Sequence, residues 1–312
     1  MRAAIAGFAG VLAICAGALG VRAQDPTPPI TPAAQAPAPA EVAPESLKLT
    51  QDSGLRLTLA VMVNGQGPYN FLVDTGSDRT LISRELAATL ALPPGARVRI
   101  REAVGTDDAS TVLIDRLAVG ARVVRHIEAP ALAAEDIGAA GMLGVDALRD
   151  LHLVMDFKAM QMSSSPSRAE AIDPRTIVVH GKSRFGELIL THSKIHGVPV
   201  VVVVDSGSEI SIGNPALLRL LTKHALSPDP PVTTQIISVT GRAMILEQDQ
   251  IAEADIGGVT IRNMPLAFAQ LPIFDHLGLG DTPAMFLGMD VLSQCERVSV
   301  DIRRREATFT LR

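Results

Sequence analysis

The chain has 312 residues, 47% of them hydrophobic and 20% charged, which is apolar material enough for two modest domains and excludes a disordered or supercharged protein. Its formal net charge is -5, and the single basic run, "RRR" at 303–305, reads as a solvated face. Composition therefore gives no basis for a nucleic-acid partner.

Residues 1–23 read as a signal peptide. Arg2 supplies a positive start, "AAIAGFAGVLAICAGALG" an apolar core, and Val21 and Ala23 the positions read before cleavage at Gln24. Cys15 raises a lipoprotein reading, but Ile14 before it is too large for the usual lipidation site. Export to the periplasm or the outside is the expectation, with tethering by an uncleaved apolar segment as the alternative. No second apolar run suits a membrane span, so stable insertion after cleavage is not expected. Residues 24–46 are rich in Pro and Ala and read as an extended linker, either a spacer or a removable propeptide. Once Cys15 has left with the signal, Cys295 stands alone, so no internal disulfide is expected and the thiol reads as buried.

From about residue 47 the chain is duplicated. "LRLTLAVMVNGQGPYNFLVDTGS" and "GELILTHSKIHGVPVVVVVDSGS" each read as a hairpin running into an acidic turn, with Asn64-Gly65 as the turn of the first. Helix-like "SRELAATLAL" and "NPALLRLL" follow, and then β-rich segments about glycines at 105 and 241. Each copy ends in a Leu-Gly-x-Asp-x-Leu helix start and strands. The lobes are placed at 47–165 and 175–312, separated within the polar stretch 163–175, as a pseudo-two-fold pair.

Asp74 ends the apolar run "FLV", and Asp205 ends "VVVV" at the matching place 131 positions later. A carboxylate at the end of a buried strand is unfavourable unless something satisfies or uses it. Taken alone, one Asp-Thr-Gly is as well explained by a turn-capping aspartate as by catalysis. Two copies in equivalent places of a duplicated fold would bring both acids to the pseudo-axis, where they would share a proton and serve together as general base and general acid. The aspartic protease dyad is the standard worked case of that effect.

"FLVDTGSDRTLIS" and "VVVVDSGSEISIG", each with a downstream apolar-apolar-Gly ("MLG" at 142–144 and "FLG" at 286–288), resemble the aspartic protease superfamily. Each half is more similar to a retropepsin protomer than to a long pepsin lobe, over roughly residues 50–312. The resemblance implies an all-β fold with a few short helices, built as two pseudo-symmetric retropepsin-like β-barrel lobes with an active-site cleft between them. It implies an aspartic endopeptidase acting on polypeptides, with Asp74 and Asp205 as catalytic dyad and Thr75, Gly76, Ser206 and Gly207 bracing it. It places Asp78 and Glu209 near substrate backbone, although an ion pair with an arginine such as Arg79 or Arg101 is an open alternative. Gly105 and Gly241 fall in the flaps it implies, and the single tyrosine, Tyr69, is not in either. A non-catalytic peptide-binding or scaffolding protein on the same fold is the alternative reading.

This chemistry requires neither metal nor cofactor, and an internal pseudo-dimer implies a monomer. Asp146 and Asp290 form a second matched pair, read as helix caps or ion-pair members. His192 and His196 have metal-compatible spacing but sit in a strand-turn pattern without a third ligand, so both are expected at the surface.

Overall fold

The computed structural model describes residues 45–48, 56–102, 105–170, 174–185, 187–222 and 232–312. The expected signal peptide and nearly all of the linker lie outside them. Among the described residues the secondary structure consists of strands and six short helices.

In the first half, six strands succeed one another around a closed barrel: Thr58–Val63, Gln66–Val73, Gly141–Leu143, Leu81–Ser83, Arg122–Leu132 and Gly105–Val119. Closure comes from pairing the last strand with the first, Val61 opposite Val119. The second half repeats this order with Glu187–Ile195, Val198–Val204, Ala284–Leu287, Ile212–Gly213, Val259–Phe268 and Ala243–Ile256, closed by Ser193 opposite Ile256. Each barrel carries a further strand as the outer arm of a hairpin, Pro94–Glu102 in the first and Val232–Ile237 in the second, and the second also carries Lys182–Arg184 beside Glu187–Ile195. Closure leaves few edges exposed, and alternation along the strands sends Leu59, Val61 and Val63 inward.

Local signals explain the turns and helices. Asn64 (φ 50) and Gly65 (φ 81) form the two-residue turn that their sequence favours, and His196 (φ 48) with Gly197 (φ 78) does the same in the second half. Helix Arg84–Thr89 starts where the Ser83 hydroxyl accepts from Leu86 N at 3.1 Å. Helix Pro215–Leu221 starts where Asn214 Oδ1 accepts from Leu217 N at 2.9 Å, with Pro215 in the first turn.

A third sheet unites the halves. It runs Glu45–Lys48, Gln161–Pro166, Leu151–Asp156, Arg297–Asp301, Glu306–Thr310 and Thr176–His180, antiparallel throughout. Its central seam pairs Met155 with Val298 and Leu153 with Val300, so strands that close each copy bond to the other copy. Met155, Met162, Val298, Val300, Ala307 and Phe309 are buried in one core continuous with both barrels. Sequence reading showed these strands but not their exchange of partners. Because that core is shared, Phe309→Ala should destabilise both halves together by about 3–5 kcal/mol. Calorimetry should show one shifted unfolding transition, not a separate loss of the second lobe.

Candidate active site

Each aspartate is delivered by a buried strand. Phe71, Leu72 and Val73 precede Asp74, and Val202, Val203 and Val204 precede Asp205, all 2% exposed or less. The neighbouring parallel strands hold the chain there: Asp74 N donates to Leu143 O at 3.0 Å and Asp205 N to Leu287 O at 3.1 Å. This is the structural reason for the "MLG" and "FLG" segments downstream.

The two acidic turns meet at the pseudo-axis. Gly76 N donates to Asp74 Oδ1 at 2.8 Å, and Gly207 N to Asp205 Oδ1 at 2.9 Å. Each glycine also lies against the other lobe's carboxyl. A Cβ on Gly76 would stand 2.7 Å from Asp205 Cγ, and one on Gly207 2.2 Å from Asp74 Cγ. No larger residue fits at either place without displacing an aspartate.

Thr75 and Ser206 cross beneath the pair, both buried. Thr75 Oγ1 donates to Val204 O at 2.9 Å and accepts from Ser206 N at 3.1 Å. Ser206 Oγ donates to Val73 O at 2.9 Å and accepts from Thr75 N at 3.2 Å. Four hydrogen bonds thus run from lobe to lobe directly below the carboxyls.

Burial raises both aspartates above the usual carboxylate range, and the charge of Asp205 lifts Asp74 further. The Gly207 and Ser208 N–H groups oppose the shift at Asp205. Two such acids in contact hold one proton between them where isolated carboxyls would both be ionised.

Asp146 and Asp290 sit in the first turn of their helices, where Asp146 Oδ1 accepts from Ala147 N at 2.8 Å, but neither is the N-cap residue and both also hold the neighbouring loop. Helices Val145–Leu148 and Met289–Leu292 begin at Gly144 and Gly288, without a side-chain cap. Asp146 Oδ1 also accepts from Thr80 N at 3.0 Å and Thr80 Oγ1 at 2.6 Å. Asp290 accepts from Ser211 N at 3.0 Å and Ser211 Oγ at 2.7 Å. The hydroxyls in turn accept from Gly144 N at 3.2 Å and Gly288 N at 3.0 Å. A Cβ at Gly144 would lie 2.4 Å from Arg79 O, and one at Gly288 2.5 Å from Ile210 O. Sequence reading found the acids and glycines but missed Thr80 and Ser211; their matched positions, six residues after each aspartate, were the available signal.

Beside the dyad the halves differ. Glu209 forms an ion pair with an arginine, Arg56, Nε to Oε1 at 3.3 Å, and not with Arg79; the side chain of Arg101 lies outside the described residues. The hairpin register places Arg56 one step before Leu57, whose carbonyl accepts from Val73 N. Glu187 stands in the equivalent place beside Asp205. It is 2% exposed, and burial, then the charges of Asp205, Asp74 and Asp78, push its carboxyl up to about 9. Asp78 itself is exposed. Sequence reading missed both Arg56 and Glu187.

The hairpins carrying Gly105 and Gly241 reach one another. Asp107 forms an ion pair with Arg242 and accepts from Thr240 Oγ1 at 3.2 Å. Gly105 lies under the Arg242 guanidinium, and Gly241 (φ +79) crosses to Asp136 of the first lobe. Val239, at the tip of the second hairpin, packs on an apolar cluster of the first lobe that includes Leu72, Ile100 and Met142. Elsewhere, His192 and His196 are exposed and Cys295 is buried, its thiol pushed up to about 11 by burial. No helix among the described residues is long and apolar enough to cross a membrane.

Two family models match the chain in tandem. The gag-polyprotein aspartyl protease model matches residues 59–150, and the aspartyl protease model matches residues 191–291. Together they cover more than half of the chain and fall one on each lobe. The chain belongs to the retropepsin-like aspartic proteases, with two lobes in one polypeptide. No curated protein matches it.

Three measurements check this geometry. Thr75→Val strands Ser206 N and Val204 O, so urea unfolding should show a loss of about 1–3 kcal/mol for each buried group, largely restored in Thr75→Ser. Asp107→Asn should lower hydrogen-exchange protection of both hairpin tips severalfold, and high salt should do the same to the wild type, because the pair is partly exposed. Glu187 is raised in the folded state, so its contribution is full below about pH 4.5 and is lost as pH rises toward about 9. Glu187→Gln should therefore raise Tm more at pH 8 than at pH 5, at about 1.4 kcal/mol per pH unit at most.

Proposed function

We propose that the protein is an aspartic endopeptidase whose catalytic dyad is Asp74 and Asp205. The observation that carries this is the set of crossed Thr75–Ser206 hydrogen bonds, which hold two buried carboxyls against each other at the lobe interface. The ionised member takes a proton from a water as that water attacks the scissile carbonyl. The protonated member donates to the carbonyl oxygen, giving a tetrahedral diol. The carboxylate left ionised takes a proton from one diol hydroxyl as the carbonyl re-forms, the protonated member gives its proton to the leaving nitrogen, and the C–N bond breaks. The low-dielectric site strengthens each of these hydrogen bonds.

The substrate is an extended polypeptide lying between the dyad and the two hairpins, bonded through its backbone as an added strand. Apolar clusters containing Leu72 and Met142 on one side, and Val203 and Phe286 on the other, support apolar side chains next to the cleaved bond. Both aspartates come from one chain, which supports a monomeric enzyme. The apolar start of the sequence supports export, with a mature chain beginning at Gln24.

Cleavage of a peptide library should be abolished by Asp74→Asn and by Asp205→Asn separately, with Tm little changed. Activity that survives in both variants would refute the mechanism. Since both acids are raised, the alkaline limb of the kcat/KM profile should lie above the usual carboxylate range, near pH 4. A limb at or below that range would contradict proton sharing by this pair.

A further inference from the structure

The pseudo-two-fold axis makes one comparison possible that a single site would not. Arg56 and Glu187 stand at equivalent places in the two lobes, each beside its own lobe's aspartate. Glu209 and Asp78 are likewise equivalent, each four residues after its aspartate. In one half, Arg56 crosses to Glu209 at 3.3 Å, so the charge of that acid is balanced within the protein. In the other half the arginine is replaced by an acid.

Asp78 is exposed, and among the described residues no cation lies within ion-pair distance of it. Behind it Glu187 is almost wholly buried, and its Oε2 has no hydrogen-bond partner among the described residues. A buried carboxyl oxygen without a partner is costly, and native proteins seldom keep one without a use for it. Among the described residues this side of the cleft therefore holds two carboxyl groups with no cation paired to them, beside the dyad, whereas on the other side Glu209 is paired with Arg56. An exposed carboxylate such as Asp78 binds ammonium and guanidinium groups through charge-assisted hydrogen bonds.

We infer that the half of the cleft lined by Asp78 and Glu187 accepts a lysine or arginine side chain of the polypeptide substrate. The substrate then supplies to Asp78 the cation that Arg56 supplies to Glu209. The opposite half takes neutral side chains, because a cation there would meet Arg56. Asp78 makes the outer contact, and Glu187 determines specificity by leaving Asp78 without an internal partner. This inference rests on the peptide-cleft reading above.

Binding can test it without turnover. Peptides carrying a hydroxyethylene group in place of the scissile bond would be made in pairs, with lysine or norleucine at one position at a time, and measured by calorimetry at pH 6.5. Lysine should bind about tenfold tighter than norleucine at a position on one side of the isostere only. Asp78→Asn should bring that ratio close to one, and Glu187→Arg should make norleucine the tighter ligand. Asp78 is at the surface, so the first variant serves even where the second does not fold. Peptides that bind the wild type with no lysine preference at any position, or a preference that survives Asp78→Asn, would overturn the assignment while leaving the peptidase reading intact. Failure of every peptide in the set to bind would remove the peptide-cleft reading, and this inference with it.

Discussion

Two like acids pressed together in a buried place repel each other once both are charged, and nothing in either lobe alone would keep them there. The hydroxyls of Thr75 and Ser206 supply that restraint by donating to the main chain of the opposite lobe while accepting an amide from it. Each hydroxyl uses both of its capacities, so neither loop can withdraw without stranding buried polar groups on both sides. The glycines after them complete the fit, because each leaves room for the other lobe's carboxyl. Most of the fold can be understood as what is needed to present these two loops to each other.

Support extends outward in layers. The Asp146–Thr80 and Asp290–Ser211 bonds fix the far side of each loop, and Gly144 and Gly288 let the next helix start close against it. Beneath them the shared six-stranded sheet joins Leu151–Asp156 to Arg297–Asp301 along a full strand length. A site held at a lobe boundary is only as well placed as that boundary is rigid. Here the boundary is a hydrogen-bonded ladder with a continuous apolar core. The two hairpins meet above it through the partly exposed Asp107–Arg242 ion pair and through Val239 on the first lobe's apolar cluster.

The sequence disclosed some of this readily. The meeting of Asp74 and Asp205 was legible because each belongs to a short local motif that occurs twice at the end of matched apolar strands. The shared order of elements followed from the same duplication, and the helices after the acidic turns from helix-like segments in both copies. Partners far apart in the chain were not legible. Thr80 lies 66 residues from Asp146, and Asp107 135 residues from Arg242, so no spacing rule connects them. The exchange of strands between copies was hidden for a related reason: Val298 and Val300 would satisfy the alternation of a strand equally well in either lobe. For Asp146 and Asp290 only half of the role was legible: an acid in a helix's first turn suggests a bond to the helix amides, which Asp146 makes to Ala147 N, but not the tertiary bond to Thr80 or Ser211.

Arg56 and Glu187 illustrate what joining two similar halves in one polypeptide permits. Two identical subunits must present identical surfaces to whatever lies on their axis. A peptide has no such symmetry, since its two directions differ and its residues on either side of any bond differ. A homodimer therefore meets an asymmetric ligand with a symmetric groove, and both orientations are equivalent to it. Once the halves are encoded separately, a single replacement in one of them distinguishes left from right, and the groove acquires a preferred direction in which the peptide is read.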